Sequence, residues 1–141
     1  MPDTVIAPDL LAAYRNTLYV VQASSPFTLT VGEVSPALRQ WMQGHACHCA
    51  VFITACNPYS QVLNEAENAQ RQFDLEQVIW QFGLPWAPGV GQPQEGQWKP
   101  EPSYLVGGLS LDDSRALGRR WEQNAFLWCG PDTLAQLILL R

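Results

Sequence analysis

The stretch VFITACNPYSQVLNEAENAQR, residues 51–71, carries the decisive change of pattern in this chain. It opens as a run of apolar and small residues without alternation, which predicts a strand over residues 48–56 covered on both faces. Asn57-Pro58 ends that strand, because proline has no amide for a ladder and holds the residue before it extended. The polar turn Asn57-Pro58-Tyr59-Ser60 then feeds the longest helix, predicted over residues 64–82. Leu63, Ala66, Phe73, Val78, Ile79 and Phe82 are its expected buried side, and Gly83 its cap. Glu67 and Arg71 stand four apart on it, the spacing of a helical ion pair.

Working outward, Pro8 and Asp9 open a short helix over residues 8–14. Residues 18–23 and 27–31 flank Ser24-Ser25-Pro26 and predict an antiparallel hairpin, with Phe27, Leu29 and Val31 alternating with threonines. Ser35-Pro36 starts a helix that presents Leu38, Trp41 and Met42 on one side, with Gly44 as its expected left-handed cap. Beyond the long helix, residues 84–102 hold five Pro, three Gly, Trp86 and Trp98, and read as an ordered loop pinned by its two Trp. A strand over 103–109, a helix over 111–121 led by Asp112 and Asp113, a strand over 124–129 and a short amphipathic helix over 132–140 complete the chain. The order predicts one α+β domain, residues 1–141, with a mixed five-stranded sheet: the N-terminal hairpin plus three strands separated by helices. The long loop is expected to return residues 103–109 antiparallel to 48–56, with 101–103 beside 57–60.

Composition excludes several classes of function. Apolar residues make up 47% and charged residues 15%, which fits a filled core rather than a disordered chain. The net charge is −5, with one Lys, Lys99, against seven Arg. That balance lacks the basic footprint of a nucleic-acid or anionic-membrane binder. The start of the chain shows no secretory signal, and no uncharged apolar run reaches a membrane-spanning length. A cytoplasmic protein is expected, its four cysteines reduced. His45, Cys47, His48 and Cys49 crowd together, but no second ligand pair completes a zinc site, so no metal is assigned. Neither a dinucleotide fingerprint nor a phosphate loop is present, and no cofactor is assigned. Both histidines lie at the start of the third strand, far from Ser60 and Cys56 at its end, so no activated nucleophile emerges.

The remaining polar residues form a constellation: Asn57, Ser60, Asn68, Arg71, Glu101, Ser103 and Gln123, with Trp98 in the loop above them. Neutral amides with one Arg and one Glu are suited to reading a small polar ligand. If buried, each also needs a partner, and the same residues can equally form a saturated structural network, with Arg71 pairing Glu67 or Glu101.

The chain resembles a bacterial family known as domain of unknown function 3293. The resemblance rests on Ala13-Tyr14-Arg15, on Thr54-Ala55-Cys56-Asn57-Pro58, and on Asn68 with Arg71. It continues through Gly91, Gly96, Trp98 and Glu101-Pro102-Ser103, and ends at Gln123-Asn124-Ala125. Cys56 stands where the family pattern implies an aromatic, and Pro102 where it implies a second acid. The resemblance implies membership and brings no activity with it. Two readings of function follow. One is a small polar-ligand-binding domain with its site under the 84–102 loop, in which Glu101 is the acid or base and Arg71 holds an anion. The other is a protein-binding regulatory or inhibitory module without catalytic activity, with Trp41, Trp86 or Trp121 on an exposed apolar patch. Homodimerisation is compatible with both.

Overall fold

The structure is a computed structural model that describes residues 4–94 and 99–141. Its single sheet has seven strands in the order β2-β1-β4-β5-β3-β6-β7. These are β1 (Thr17–Val21), β2 (Phe27–Leu29), β3 (Ala50–Ile53), β4 (Trp86–Pro93), β5 (Glu101–Gly107), β6 (Ala125–Cys129) and β7 (Ala135–Leu139). Every neighbouring pair is antiparallel. The fold is α+β as expected, but the five-stranded mixed sheet is corrected to a seven-stranded antiparallel one. The hairpin β1–β2 and the antiparallel return of β5 onto β3 both follow the sequence expectation.

The two unexpected strands have separate causes. β4 lies inside the stretch expected to be loop. Its Pro88 and Pro93, and Pro102 of its neighbour β5, are tolerated because they stand at the ends of ladders. Pairing of β1 with β4 stops at Val21–Gly89, and the next carbonyl, of Pro88, accepts the Gln22 N–H at 2.8 Å. Pairing of β3 with β5 stops at Ile53–Tyr104, and there the Thr54 hydroxyl donates to the Pro102 carbonyl at 2.7 Å. Gly89 is required for close approach: a Cβ there would lie 2.7 Å from the Phe52 ring and 2.7 Å from the Val20 carbonyl oxygen. β7 replaces the expected C-terminal helix. Gly130-Pro131-Asp132-Thr133 forms a tight turn in which the Thr133 N–H donates to Gly130 and the Asp132 carboxylate accepts the Leu134 N–H. Pro and Asp at those turn positions fold the chain straight back along β6.

Four α-helices occur among the described residues: α1 (Pro8–Arg15), α2 (Pro36–Gly44), α3 (Glu65–Phe82) and α4 (Leu111–Arg120). On one face of the sheet Val21, Phe52, Leu105 and Leu127 pack with Leu38 and Met42 of α2. On the other, Val51, Ile53, Tyr104 and Val106 pack with Leu75 and Ile79 of α3 and Leu117 of α4. β3 is therefore buried at all four positions, as its unbroken apolar run implied. The Ser35 hydroxyl caps α2 by accepting the Leu38 N–H. Gly44 belongs to the last turn of α2, and the left-handed residue is Ala46 (φ 55°) instead. Gly83 does cap α3, at φ 66°.

The roll of α3 differs from expectation. Its buried residues are Gln72, Leu75 and Ile79, whereas Phe73 is 56% exposed and Trp80 63% exposed. Hydrogen bonds from the chain after β3 to Asn68 and Gln72 set this rotation, and they outweigh the burial of Phe73. No described helix is long and apolar enough to cross a membrane.

Candidate functional site

A cleft of about 540 Å³ opens between α1, the turn after β3 and the sheet. That volume lies within the range of small-molecule sites. Leu10, Ala13 and Tyr14 of α1 form one wall, and Tyr19, Phe52, Gly91, Leu127 and Leu137 contribute from the strands. The rest of the lining includes Asn57, Ser60, Asn68, Gln72, Lys99, Glu101, Ser103, Gln123 and Asn124. Six of the eight residues expected at a site, Asn57, Ser60, Asn68, Glu101, Ser103 and Gln123, are thus brought together. Trp98 lies outside the described residues. Arg71 does not line the cleft. The expected loop over it, residues 84–102, is mostly β4 and the start of β5, so α1 borders the cleft where that loop was expected.

Asn57 is the hub. It adopts a left-handed conformation, φ 50°, which asparagine tolerates better than most residues. Its amide N–H donates to Asn68 Oδ1 at 2.9 Å, and Asn68 Nδ2 donates back to Asn57 Oδ1 at 2.8 Å. Asn57 Oδ1 also accepts the Leu63 N–H, and Asn57 Nδ2 donates to Glu101 Oε2 at 2.8 Å. Tyr59 (φ 52°) and Ser60 (φ 61°) are left-handed as well. Non-glycine residues in that region cost of order 1–3 kcal/mol each, and such strain persists only where surrounding contacts impose it. Here the Tyr59 N–H donates to the Glu122 carbonyl, and Arg141 lies 4.3 Å over the Tyr59 ring. The Ser60 hydroxyl bonds Tyr14 Oη, and Asn124 Nδ2 donates to both of those oxygens.

Glu101 sits at the start of β5 on the same face of the sheet as Tyr19. Burial raises its carboxyl above the ordinary 4.5, and the Asn57 hydrogen bond offsets part of that rise. The residue as a whole is half-buried, so it is the carboxyl end that lies deep. No salt bridge reaches it among the described residues. Tyr19, Gly91 and Glu101 stand directly opposite one another across β1, β4 and β5. Tyr19 Oη donates to the Tyr14 carbonyl at 2.6 Å, its ring meets Phe52 edge-on at 5.4 Å, and burial pushes its hydroxyl pKa up. Gln72 Oε1 accepts the Ala55 N–H at 3.0 Å, which fixes the orientation of the amide and leaves the buried Nε2, like Ser114 Oγ and Trp121 Nε1 elsewhere in the fold, without a partner among the described residues. Gln123 Nε2 donates to the Cys56 and Trp121 carbonyls. Its Oε1 meets no donor among the described residues.

Arg71 is a brace. Its Nε donates to the Ala55 carbonyl at 2.6 Å, its Nη2 to the Trp121 carbonyl at 2.6 Å, and its Nη1 pairs with Glu122 at 3.4 Å. It ties the chain after β3 to the end of α4, and its partner is Glu122 rather than Glu67 or Glu101. Ser103 donates to the Glu101 backbone carbonyl.

The chemistry available is recognition by a carboxyl, amides and hydroxyls within apolar walls. Among the described residues the Ser60 hydroxyl has only Tyr14 and Asn124 as hydrogen-bond partners, and no histidine. Burial raises the Cys47, Cys49, Cys56 and Cys129 thiols, the last to about 12. None is poised as a thiolate. No three His, Cys, Asp or Glu side chains converge as a metal cluster among the described residues. Sequence reasoning missed Tyr19, Gln72 and Asn124. Gln72 had a signal, since it falls four residues after Asn68 on one helix face.

Fold and cleft together define a small α+β domain with one strained, polar-rimmed concavity. The family model described as protein of unknown function (DUF3293) matches residues 53–126. That is over half of the chain, and the chain belongs to this family. The match spans the turn after β3, Asn68, Glu101 and Gln123, whereas α1 with its Ala13-Tyr14-Arg15 lies outside it. Cys56 Sγ lies 3.9 Å from the Pro102 carbonyl oxygen. No curated protein and no solved structure matches the chain.

Proposed function

We propose that this chain is a cytoplasmic small polar-ligand-binding domain whose site is the cleft beside α1. The observation that carries this reading is the Glu101 carboxyl in the lining of that cleft, which burial raises and which meets a single donor, Asn57 Nδ2, among the described residues. Buried polar groups in folded proteins are nearly always paired, and a ligand donor would complete this one. Four free thiols support the cytoplasm. The test is a thermal-shift screen against amines, amino acids, sugars, nucleotides and carboxylates. A ligand at a hundred times its Kd adds about 2.7 kcal/mol, a shift of several degrees at this chain length. Ala13→Phe, which fills the cleft from α1, abolishes that shift if the site is correct. A hit unaffected by Ala13→Phe places the ligand elsewhere.

A second reading, a protein-binding regulatory or inhibitory module, is favoured by the exposed Phe73 and Trp80 on α3. Trp41, Trp86 and Trp121, the expected anchors, are each partly buried. Under that reading Trp80→Ser removes a partner while leaving ligand shifts unchanged.

A further inference from the structure

We infer that the cleft takes an organic ammonium, its cationic head lying over Gly91 between the Tyr19 ring and the Glu101 carboxylate. The inference rests on the small-ligand reading above and names the ligand class. Three observations lead to it. First, Tyr19, Gly91 and Glu101 form one cross-strand row. Strands in a sheet stand about 4.8 Å apart, so the backbones of Tyr19 and Glu101 are separated by roughly 10 Å, and the residue between them has no side chain. The row is a slot with an aromatic ring on one side and a carboxyl on the other. Second, that slot has room for an added methyl. A Cβ on Gly91 would meet, among the described residues, Thr17 Cγ2 at 3.7 Å and the Glu101 carbonyl oxygen at 3.9 Å, both ordinary contact distances. Gly89, by contrast, is filled over by Phe52. Third, Glu101 has no cationic partner among the described residues, although Lys99 is only two positions away, and Asn57 Nδ2 is its sole hydrogen-bond donor there.

A buried carboxylate is retained where something supplies its counter-charge. An aromatic face beside it favours a cation of organic type, since ammonium groups are drawn to the negative face of a ring. The walls set the rest of the ligand. Leu10, Ala13, Leu127 and Leu137 offer apolar contact to a short hydrocarbon body.

The test uses the full chain and three probe pairs matched in shape: isopentylamine with isopentanol, benzylamine with benzyl alcohol, and choline with 3,3-dimethylbutanol, with benzoate as the anionic control. Affinities are read by calorimetry. At least one amine should bind ten-fold or more tightly than its neutral partner. Glu101→Gln should erase that preference, and Gly91→Ala should weaken the amine at least ten-fold without lowering the apo melting temperature. Neutral or anionic probes binding as well as the amines would overturn the cation assignment and leave the small-ligand reading standing. A preference that survives both Glu101→Gln and Gly91→Ala would overturn the placement. No binding by any probe, together with no hit in the broader screen, would overturn both readings.

Discussion

Arg71→Ala separates a brace from a ligand group. The guanidinium makes two bonds to backbone carbonyls, of Ala55 and Trp121, and one ion pair to Glu122. Hydrogen bonds from charged donors contribute roughly 1.5–3 kcal/mol each. Ala55 is fully buried, so its carbonyl takes the larger loss. The Trp121 carbonyl keeps a second donor, Gln123 Nε2 at 3.1 Å, and loses less. The Glu122 side chain is 47% exposed, and a pair of that kind contributes about 0–1 kcal/mol. Adding the packing of the guanidinium against Trp121 at 5.7 Å, the substitution should cost about 3–4 kcal/mol. At this chain length that corresponds to a fall of about 10 °C in Tm. Glu122→Gln should cost under about 1 kcal/mol. Arg71→Lys should resemble Arg71→Ala more than wild type, because one ammonium cannot span two carbonyls on different segments.

The assay is thermal unfolding followed by circular dichroism, with ligand affinity measured on the same three variants well below their midpoints. The brace predicts that affinity survives in whatever fraction stays folded. An Arg71→Ala protein that melts within about 2 °C of wild type but no longer binds would refute the reasoning. It would return the guanidinium to the site as the anion holder its sequence position first suggested.

Gly89→Ala should destabilise the fold, by roughly 1–3 kcal/mol, because the added methyl overlaps the Phe52 ring and the Val20 carbonyl oxygen. Urea denaturation reads this directly, and an unchanged midpoint would mean that β4 does not lie where Phe52 requires it. The pH dependence of Glu101 has a definite sign. Its carboxyl is raised above 4.5 in the folded state, so the folded chain holds the proton more tightly than the unfolded one. Its contribution to stability is full below 4.5 and is lost as pH rises through the raised value. The titratable and charged groups around it are Tyr14 from α1, Tyr19 from β1, Cys56 after β3 and Lys99 before β5. Tyr19 and Cys56 have raised pKa values and stay neutral through that window. Relative to Glu101→Gln, the wild-type Tm should therefore fall with rising pH and then level. A rise instead would mean that the Asn57 bond outweighs burial.

How much of this was legible depended on whether one residue's environment could be judged from its own neighbours in sequence. β3 was legible because four consecutive apolar residues leave no solvated face. The return of β5 was legible because a long connection can reverse a chain. β4 was not, since Pro88, Gly89, Gly91 and Pro93 describe a loop by composition. They become strand residues only because the ladder with β1 begins at Pro93 and stops beside Pro88, and because Phe52 needs the space over Gly89. β7 was misread for a related reason: Leu134, Leu137 and Ile138 satisfy a helical spacing. The turn at Gly130-Pro131-Asp132-Thr133 overrode it by placing the segment against an open edge of β6. The roll of α3 was misread because Phe73 was weighed as core, while the donors that Asn68 and Gln72 accept come from a turn whose position no local pattern gives.

The polar constellation itself was legible, but it proved to be two things, and counting hydrogen-bond capacity separates them. A purely structural network ends with its members satisfied. The Arg71 guanidinium is satisfied: each of its three nitrogens has an acceptor, and it braces the turn that carries Asn57, although the Nε1 of the neighbouring Trp121 is buried without a partner among the described residues. The cleft half is not satisfied. Asn57 makes five hydrogen bonds and three residues of its turn are held left-handed, and one result is to hold Glu101 by a single oxygen. Glu101 Oε1 and Gln123 Oε1 are left without a protein donor among the described residues. Strain and rigid placement around groups that remain unsatisfied are what pre-organisation for a ligand requires. The brace accounts for the rigidity, and the two open acceptors are where the proposed ligand would add its donors.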